Sequence, residues 1–199
     1  MREGAGPDGT KGRILAAAAI EIRQIGLRRM TVSGLAARLG MSHANVYRHF
    51  EGKAGIVDAL LNGWLKGFET RLQEIVDGPD PADDKLERFL ATLMRGYAET
   101  HRTEGPLFGL LAEPPEEARE PERHARRIED WLERIAEEGI GTRLFTGTDS
   151  RKLVALVQDL AFRFINPAAI AREMTPGLAS EARRDRAVRA IVRTLMSRR

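Results

Sequence analysis

From Thr10 to Leu195 the apolar residues recur in steps of three and four, and no bounded, alternating Val/Ile/Thr run interrupts them. Such spacing keeps one apolar stripe on each helix and leaves nothing to pair as a strand. The fold class is therefore all-α, with about nine helices. The first stripe is Ile14, Leu15, Ala18, Ala19, Ile22 and Ile25, ended by Gly26. Short helices follow over about 32–39 and 43–50. A long one starts at Lys53 and carries Ile56, Leu60, Trp64, Phe68, Leu72 and Val76. Gly78-Pro79-Asp80-Pro81 breaks the chain, with Asp80 placed to cap the next helix. That helix bears Leu86, Phe89, Leu93, Met94 and Tyr97. A short apolar segment runs from Pro106 to Ala112, before Pro114-Pro115. A very charged helix then spans 116–138, with Gly139, Gly141 and Gly147 marking a loop. Two more helices close the chain, separated by breaks at Asn166-Pro167 and Thr175-Pro176-Gly177.

The 199 residues, 42% hydrophobic and 31% charged, are enough for a buried core without staples. With no Cys, a disulfide scaffold, a Cys-based zinc site and a cysteine nucleophile are excluded. No stretch is expected to reach the roughly 18 apolar residues of a membrane span, and residues 1–12 lack the apolar core of a signal peptide. A cytoplasmic protein with no membrane partner is the expectation. Residues 1–55 hold nine Lys/Arg against four Asp/Glu, although the whole chain has a net charge of only +3, so the remainder is faintly acidic. A basic head on such a body suggests that the head meets an anion. The four His have no metal-ligand spacing, and there is no Gly-rich phosphate loop and no Ser nucleophile elbow. Neither a metal, a cofactor nor an enzyme activity is expected.

Residues 31–53 carry the function. Thr31 can cap the first short helix, with Met30 and Leu35 forming a hydrophobic staple. Leu35, Ala36 and Leu39 face inward, and Gly40 can take the positive φ that ends a helix sharply. Ser42 can cap the second short helix, with Met41 and Val46 repeating the staple. Two short helices joined by a Gly-containing turn make a helix-turn-helix. The second is too short and too polar for a core helix, and its expected exposed residues are His43, Ala44, Asn45, Tyr47, Arg48 and His49. The first turn of such a helix points at base edges in the major groove. An Asn amide can pair with adenine and an Ala methyl can meet thymine. Tyr47 and His49 suit phosphate oxygens, as does Lys53 beside the first backbone N–H groups of the next helix.

The pattern Thr31-Val32-x-x-Leu35-Ala36-x-x-Leu39-Gly40-Met41-Ser42-x-x-x-Val46-Tyr47-x-His49-Phe50-x-x-Lys53 resembles the signature of the TetR family of bacterial transcriptional regulators. The likeness covers roughly residues 10–60 and extends to the rest of the chain only in outline. It implies a DNA-binding head over 1–55, a ligand-binding and dimerisation body over 56–199, and a homodimer on a palindromic operator, usually as a repressor. It also implies phosphate contacts at Thr31, Ser33, Tyr47, His49 and Lys53, and base contacts at His43, Ala44 and Asn45. Small residues are frequent in the family where His43 stands, so His43 departs from the pattern.

In the body, candidates for lining an effector pocket are Trp64, Phe68, Phe89, Leu93, Met94, Tyr97, His101, Phe108, Trp131 and Phe162. An aromatic or Met at helical spacing is more often plain core, and His101, near a helix end, reads more readily as a surface residue. Few charges interrupt these faces, so a hydrophobic or amphipathic small-molecule effector is expected. Residues 150–197 are the expected dimer interface, because the helix over 151–165 is apolar around most of its girth and needs cover on more than one side. The rival reading is a helical module that binds protein, with neither DNA nor ligand.

Overall fold

The computed structural model describes residues 9–172 and 180–196. Those residues form ten helices and, apart from one bridge between Phe145 and Met196, no strand pairing. In chain order these are α1 (Thr10–Ile25), α2 (Val32–Arg38), α3 (His43–Tyr47), α4 (Lys53–Asp77), α5 (Ala82–Thr103), α6 (Gly105–Ala112), α7 (Glu120–Gly141), α8 (Ser150–Ile165), α9 (Pro167–Ala171) and α10 (Glu181–Leu195). The all-α reading holds. The expected break at Thr175-Pro176-Gly177 lies outside the described residues. Asn166-Pro167 both ends α8 and starts α9. The Asn166 side chain accepts from the Ala169 N–H at 2.9 Å, and Pro167 sits in the first turn, where its missing N–H costs nothing.

Three local expectations shift. Asp80 does not cap α5; its carboxylate pairs with Arg88, and Pro81 takes the N-cap position without a side-chain bond. Asp83 and Asp84 in the first turn still complement the helix dipole there. The charged helix starts at Glu120 rather than at Glu116, after a turn in which the Ala118 N–H bonds the Pro115 carbonyl at 3.0 Å. At its other end it runs through Gly139 instead of stopping there. The Phe145 ring fills the space a side chain would need, so that a Cβ on Gly139 would lie 2.1 Å from Cδ2. Glycine at 139 is thus a packing requirement and not a loop signal.

α5 is the central post. Leu86, Phe89, Leu90, Leu93, Met94 and Tyr97 along it are all buried, and it packs against α4, α6, α7, α8, α9 and α10. α4 leads from the helix-turn-helix into this core, burying Ile56, Val57, Leu61, Leu65, Phe68 and Leu72. At Gly96 the α4 and α5 surfaces approach so closely that a Cβ would sit 2.4 Å from the Phe68 ring. The head touches the body through α1, which packs on α2, α4 and α6. Two ion pairs cross that seam, Arg23 Nε to Glu104 Oε2 at 2.9 Å and Arg28 Nη2 to Glu113 Oε2 at 3.0 Å. Both are solvent-facing, so each fixes orientation more than it stabilises.

α8 buries Leu153, Val154, Val157 and Ala161 against α7, α5 and α10. Of its other large apolar residues, Leu156, Leu160 and Phe162 are exposed, and Phe164 and Ile165 are half-buried. By length and composition Ser150–Ala171 is apolar enough to cross a membrane, contrary to expectation, an 18-residue window of it having a mean hydropathy of 1.4. Only 22% of that window is buried within the protomer. The helix is nevertheless broken at Asn166, and Arg151, Lys152, Asp159 and Arg163 are spread along it.

Candidate functional site

The head is assembled by the two caps its residue order specifies. Thr31 Oγ1 accepts from the Gly34 N–H at 3.0 Å and starts α2. Gly40 takes φ +63°, and the chain turns. Ser42 Oγ then accepts from the Asn45 N–H at 3.2 Å and starts α3. Met30, Leu35, Ala36, Val46 and Phe50 are buried beneath, on Ile14, Ala18 and Ile22 of α1. α3 is only five residues long, shorter than the expected 43–50.

This packing leaves the leading edge of α3 uncovered. His43, Ala44, Tyr47 and Arg48 are exposed, as are Thr31 and Ser33 on the side of α2. The His43 and Tyr47 rings meet edge to face, with centroids 4.8 Å apart. Asn45 and His49 are half-buried, less open than expected; the Asn45 amide lies 4.0 Å from Met41 Sδ. Lys53 is also half-buried, and its ammonium donates to the Arg28 carbonyl at 3.5 Å. The arrangement sets a hydroxyl pair, a phenol, an imidazole pair and two cations around the start of α3, which suits a polyanion.

In the body, α5, α6, α7, α8 and α9 enclose a cavity of about 420 Å³, open on one side. Its walls include Leu111, Ile128, Phe162 and Ile165, with Tyr97, His124, Gln158, Asp159 and Asn166 supplying polar atoms. Of the ten residues expected to line a pocket, Tyr97 and Phe162 do so here. Phe89, Leu93 and Met94 are fully buried core, and Trp131 packs edge-on to Phe89. Phe68 and Phe108 flank the Tyr97 ring at 5.9 and 5.7 Å and stiffen it from behind. Trp64 is half-buried on α4. His101 is half-buried too, rather than on the surface, with its ring 5.4 Å from Phe108 and its Nδ1 buried without a hydrogen-bond partner among the described residues.

Behind the cavity wall runs a polar chain. The Tyr97 hydroxyl meets His124 Nε2 at 2.6 Å, and His124 Nδ1 meets Glu69 Oε1 at 2.5 Å. Glu69 is also held by Arg127 at 2.7 Å, and Arg127 by Glu120 at 2.5 Å. Burial pushes the Glu69 carboxyl up, but the hydrogen bonds from His124 and Arg127, with the Arg127 charge beside it, together outweigh it and leave it below its ordinary value. Burial, with the Glu69 charge adding to it, raises the Tyr97 phenol, which stays protonated. The chain joins α5 and α7 to α4, the helix that leads to the head. A second tie lies nearer the head, where the Asp58 carboxylate of α4 accepts from the Arg119 and Glu120 N–H groups at 2.9 and 2.8 Å and so caps α7 from outside. His124 was within reach of sequence reasoning, because it continues the stripe of Ile128, Trp131 and Ile135 at steps of four, three and four. Glu69 and Asp58 carried no such signal.

Known proteins resemble the chain in both halves. Residues 14–60 match the family profile of bacterial regulatory proteins of the tetR family, and residues 82–184 match that of a tetracyclin repressor-like C-terminal domain. The transcriptional repressor KstR2 of Mycobacterium tuberculosis is 28% identical over 161 residues, covering 78% of this chain and 75% of that protein. Among solved structures, SmeT, the repressor of a Stenotrophomonas maltophilia multidrug efflux pump, superposes with a TM-score of 0.71 at 18% identity, over 96% of this chain and 92% of that one. FadR of Bacillus subtilis, solved with stearoyl-CoA, gives 0.65 at 17% identity over 94% and 97%. The profiles and the fold agree with the helix-turn-helix geometry, and the chain belongs to the TetR family of bacterial regulatory proteins.

Proposed function

We infer that this chain is a transcriptional repressor that binds operator DNA as a homodimer and is released by a small molecule in the body cavity. The observation that carries the reading is the leading edge of α3, held out by the Ser42 cap and uncovered by the other described residues. His43, Ala44 and Asn45 read bases, with Asn45 needing to swing off Met41. Thr31, Ser33, Tyr47, Arg48, His49 and Lys53 hold phosphates. The division at about residue 55 separates the part that touches DNA from the part that senses. No catalytic role is assigned to any residue.

The dimer reading rests on α8. At 3.6 residues per turn, Leu156 and Leu160 lie on one line of the helix, while Gln158, Phe162 and Ile165 lie on another about half a turn away. The second line faces the cavity. The first is apolar and left exposed by the described residues, and a second copy of α8 and α10 covers it in an isologous contact. The two heads then span half-sites about 34–36 Å apart, or a multiple of that. The effector acts by binding more tightly to a dimer whose heads are wrongly spaced; a near-complete switch takes about 5 kcal/mol of differential affinity. Effector-bound relatives of similar fold, such as FadR with stearoyl-CoA, support a ligand in the body.

The test is selection of duplexes from a random pool, then a gel shift over a salt series. Enrichment of a palindrome, with affinity falling steeply as salt rises, is the expected result. Tyr47→Phe should weaken binding across all sequences, and Asn45→Ala should relax the choice at one base position. A pool that yields no preferred duplex would overturn the reading and leave a protein-binding module in its place.

A further inference from the structure

Resting on the reading of the cavity as the effector site, we propose that it accepts an amphipath whose polar end is an uncharged or cationic hydrogen-bond donor, a hydroxyl or an amine, and rejects carboxylates and acyl-CoA thioesters. The first observation is charge. Among the described residues lining the cavity, Asp159 supplies a carboxylate and there is no Lys or Arg. Arg127, the cation close behind the wall, is already held by Glu69 and Glu120. Asp159 and Phe162 are exposed, so the carboxylate stands at the open side, where an entering ligand passes it. An anion there meets a like charge with no compensating partner.

The second observation is the direction of the hydrogen bonds. Glu69 and Glu120 are balanced by Arg127 and by Arg123, which lies 3.7 Å from Glu120. In the tautomer proposed here, His124 presents Nδ1–H to the Glu69 carboxylate, and Nε2 is left as the acceptor to which the Tyr97 hydroxyl donates. The Tyr97 proton is thereby committed to His124, and what remains on its oxygen is a pair of acceptor sites. Asp159 also offers only acceptors. A ligand donor satisfies both, whereas a carboxylate satisfies neither. The Asn166 side-chain oxygen is already engaged by the Ala169 N–H, so its amide NH₂ is left as a secondary donor for a hydroxyl oxygen.

The third observation is size. A cavity of about 420 Å³ lies toward the small end of ligand pockets, which run from roughly 300 to 1,000 Å³. It holds an apolar body against Leu111, Ile128 and Phe162 but leaves no room for a nucleotide as well. The CoA part of a thioester would remain outside, with its phosphates beside Asp159.

The experiment is calorimetric titration of the full chain with a matched ten-carbon series: 1-decanol, decylamine, decanoate and decanoyl-CoA. The alcohol and the amine should bind at least tenfold more tightly than either anion. Tyr97→Phe should weaken both by several-fold. Asp159→Asn should weaken the amine and spare the alcohol, and Asp159→Lys should admit decanoate. Circular dichroism and gel filtration establish that each variant keeps its fold and assembly, and Asp159→Asn still decides the charge question should Asp159→Lys not fold. Anions that bind as tightly as the alcohol, a Tyr97→Phe protein that binds unchanged, or a series in which no member binds would each overturn the proposal. Titration of the selected duplex runs in parallel. A protein that holds DNA but prefers the anions refutes the ligand class and leaves the repressor reading standing, whereas a ligand-free protein that binds no duplex refutes that reading instead.

Discussion

Glu69 is asked to hold two partners at once, and its neighbours set the cost of losing it. Its carboxylate is half of the contact to His124 and half of the contact to Arg127. Because its folded pKa lies below the ordinary 4.5, it contributes stability that is complete above the unfolded value and is lost as pH falls through the lowered folded value. Replacing it by Gln should therefore destabilise the protein at neutral pH, by taking the negative charge off the one oxygen that the buried imidazole and the partly buried guanidinium both contact, and should flatten the fall in stability on acidification. Urea unfolding from neutral pH down to the acid range measures both. An unchanged acid limb would show that other carboxylates govern it. Gly96 is the same kind of position seen sterically, since its missing side chain lets the Phe68 ring press against α5, tilted beside Tyr97 and His124.

At the scale of elements, the difference between local and distant partners decides what the sequence makes legible. Thr31 and Ser42 can be read as caps because a cap and its N–H are three residues apart, and both bonds are present. The helix-turn-helix follows from such local signals plus one glycine. α7 is the opposite case. Its start is fixed by Asp58, some sixty residues earlier in the chain, so the charged run over 116–138 gave no hint that the first turn begins at Glu120. The cavity was equally hard to read, since the stripes showed which residues turn inward but not where inward-facing helices fail to meet. Phe89, Leu93 and Met94 met a neighbour and became core, whereas Tyr97 and Phe162 did not wholly do so. Asp58→Ala should fray the first turn of α7, costing about 1 kcal/mol as lost caps do. Hydrogen exchange at residues 119–123 should quicken while that in α5 is unchanged.

Across the whole molecule, the exposed line of Leu156 and Leu160 should behave as an interface. Leu160 is nearly half exposed in the protomer, so the melting curve of Leu160→Glu at low concentration should stay near that of a monomer, while sedimentation velocity should show the dimer lost. DNA affinity should then fall at least tenfold, because a lone head reads only one half-site. A stable Leu160→Glu dimer would place the contact elsewhere. α6 has a further consequence. This eight-residue helix puts Leu111 on the cavity and packs its other side on α1, with ion pairs flanking it at Glu104 and Glu113. Filling the space beneath α6 and tilting it are separate events. Compounds of equal occupancy can therefore differ in potency, and one that fits without pressing on Leu111 would be a silent competitor, present at saturation while the gene stays shut.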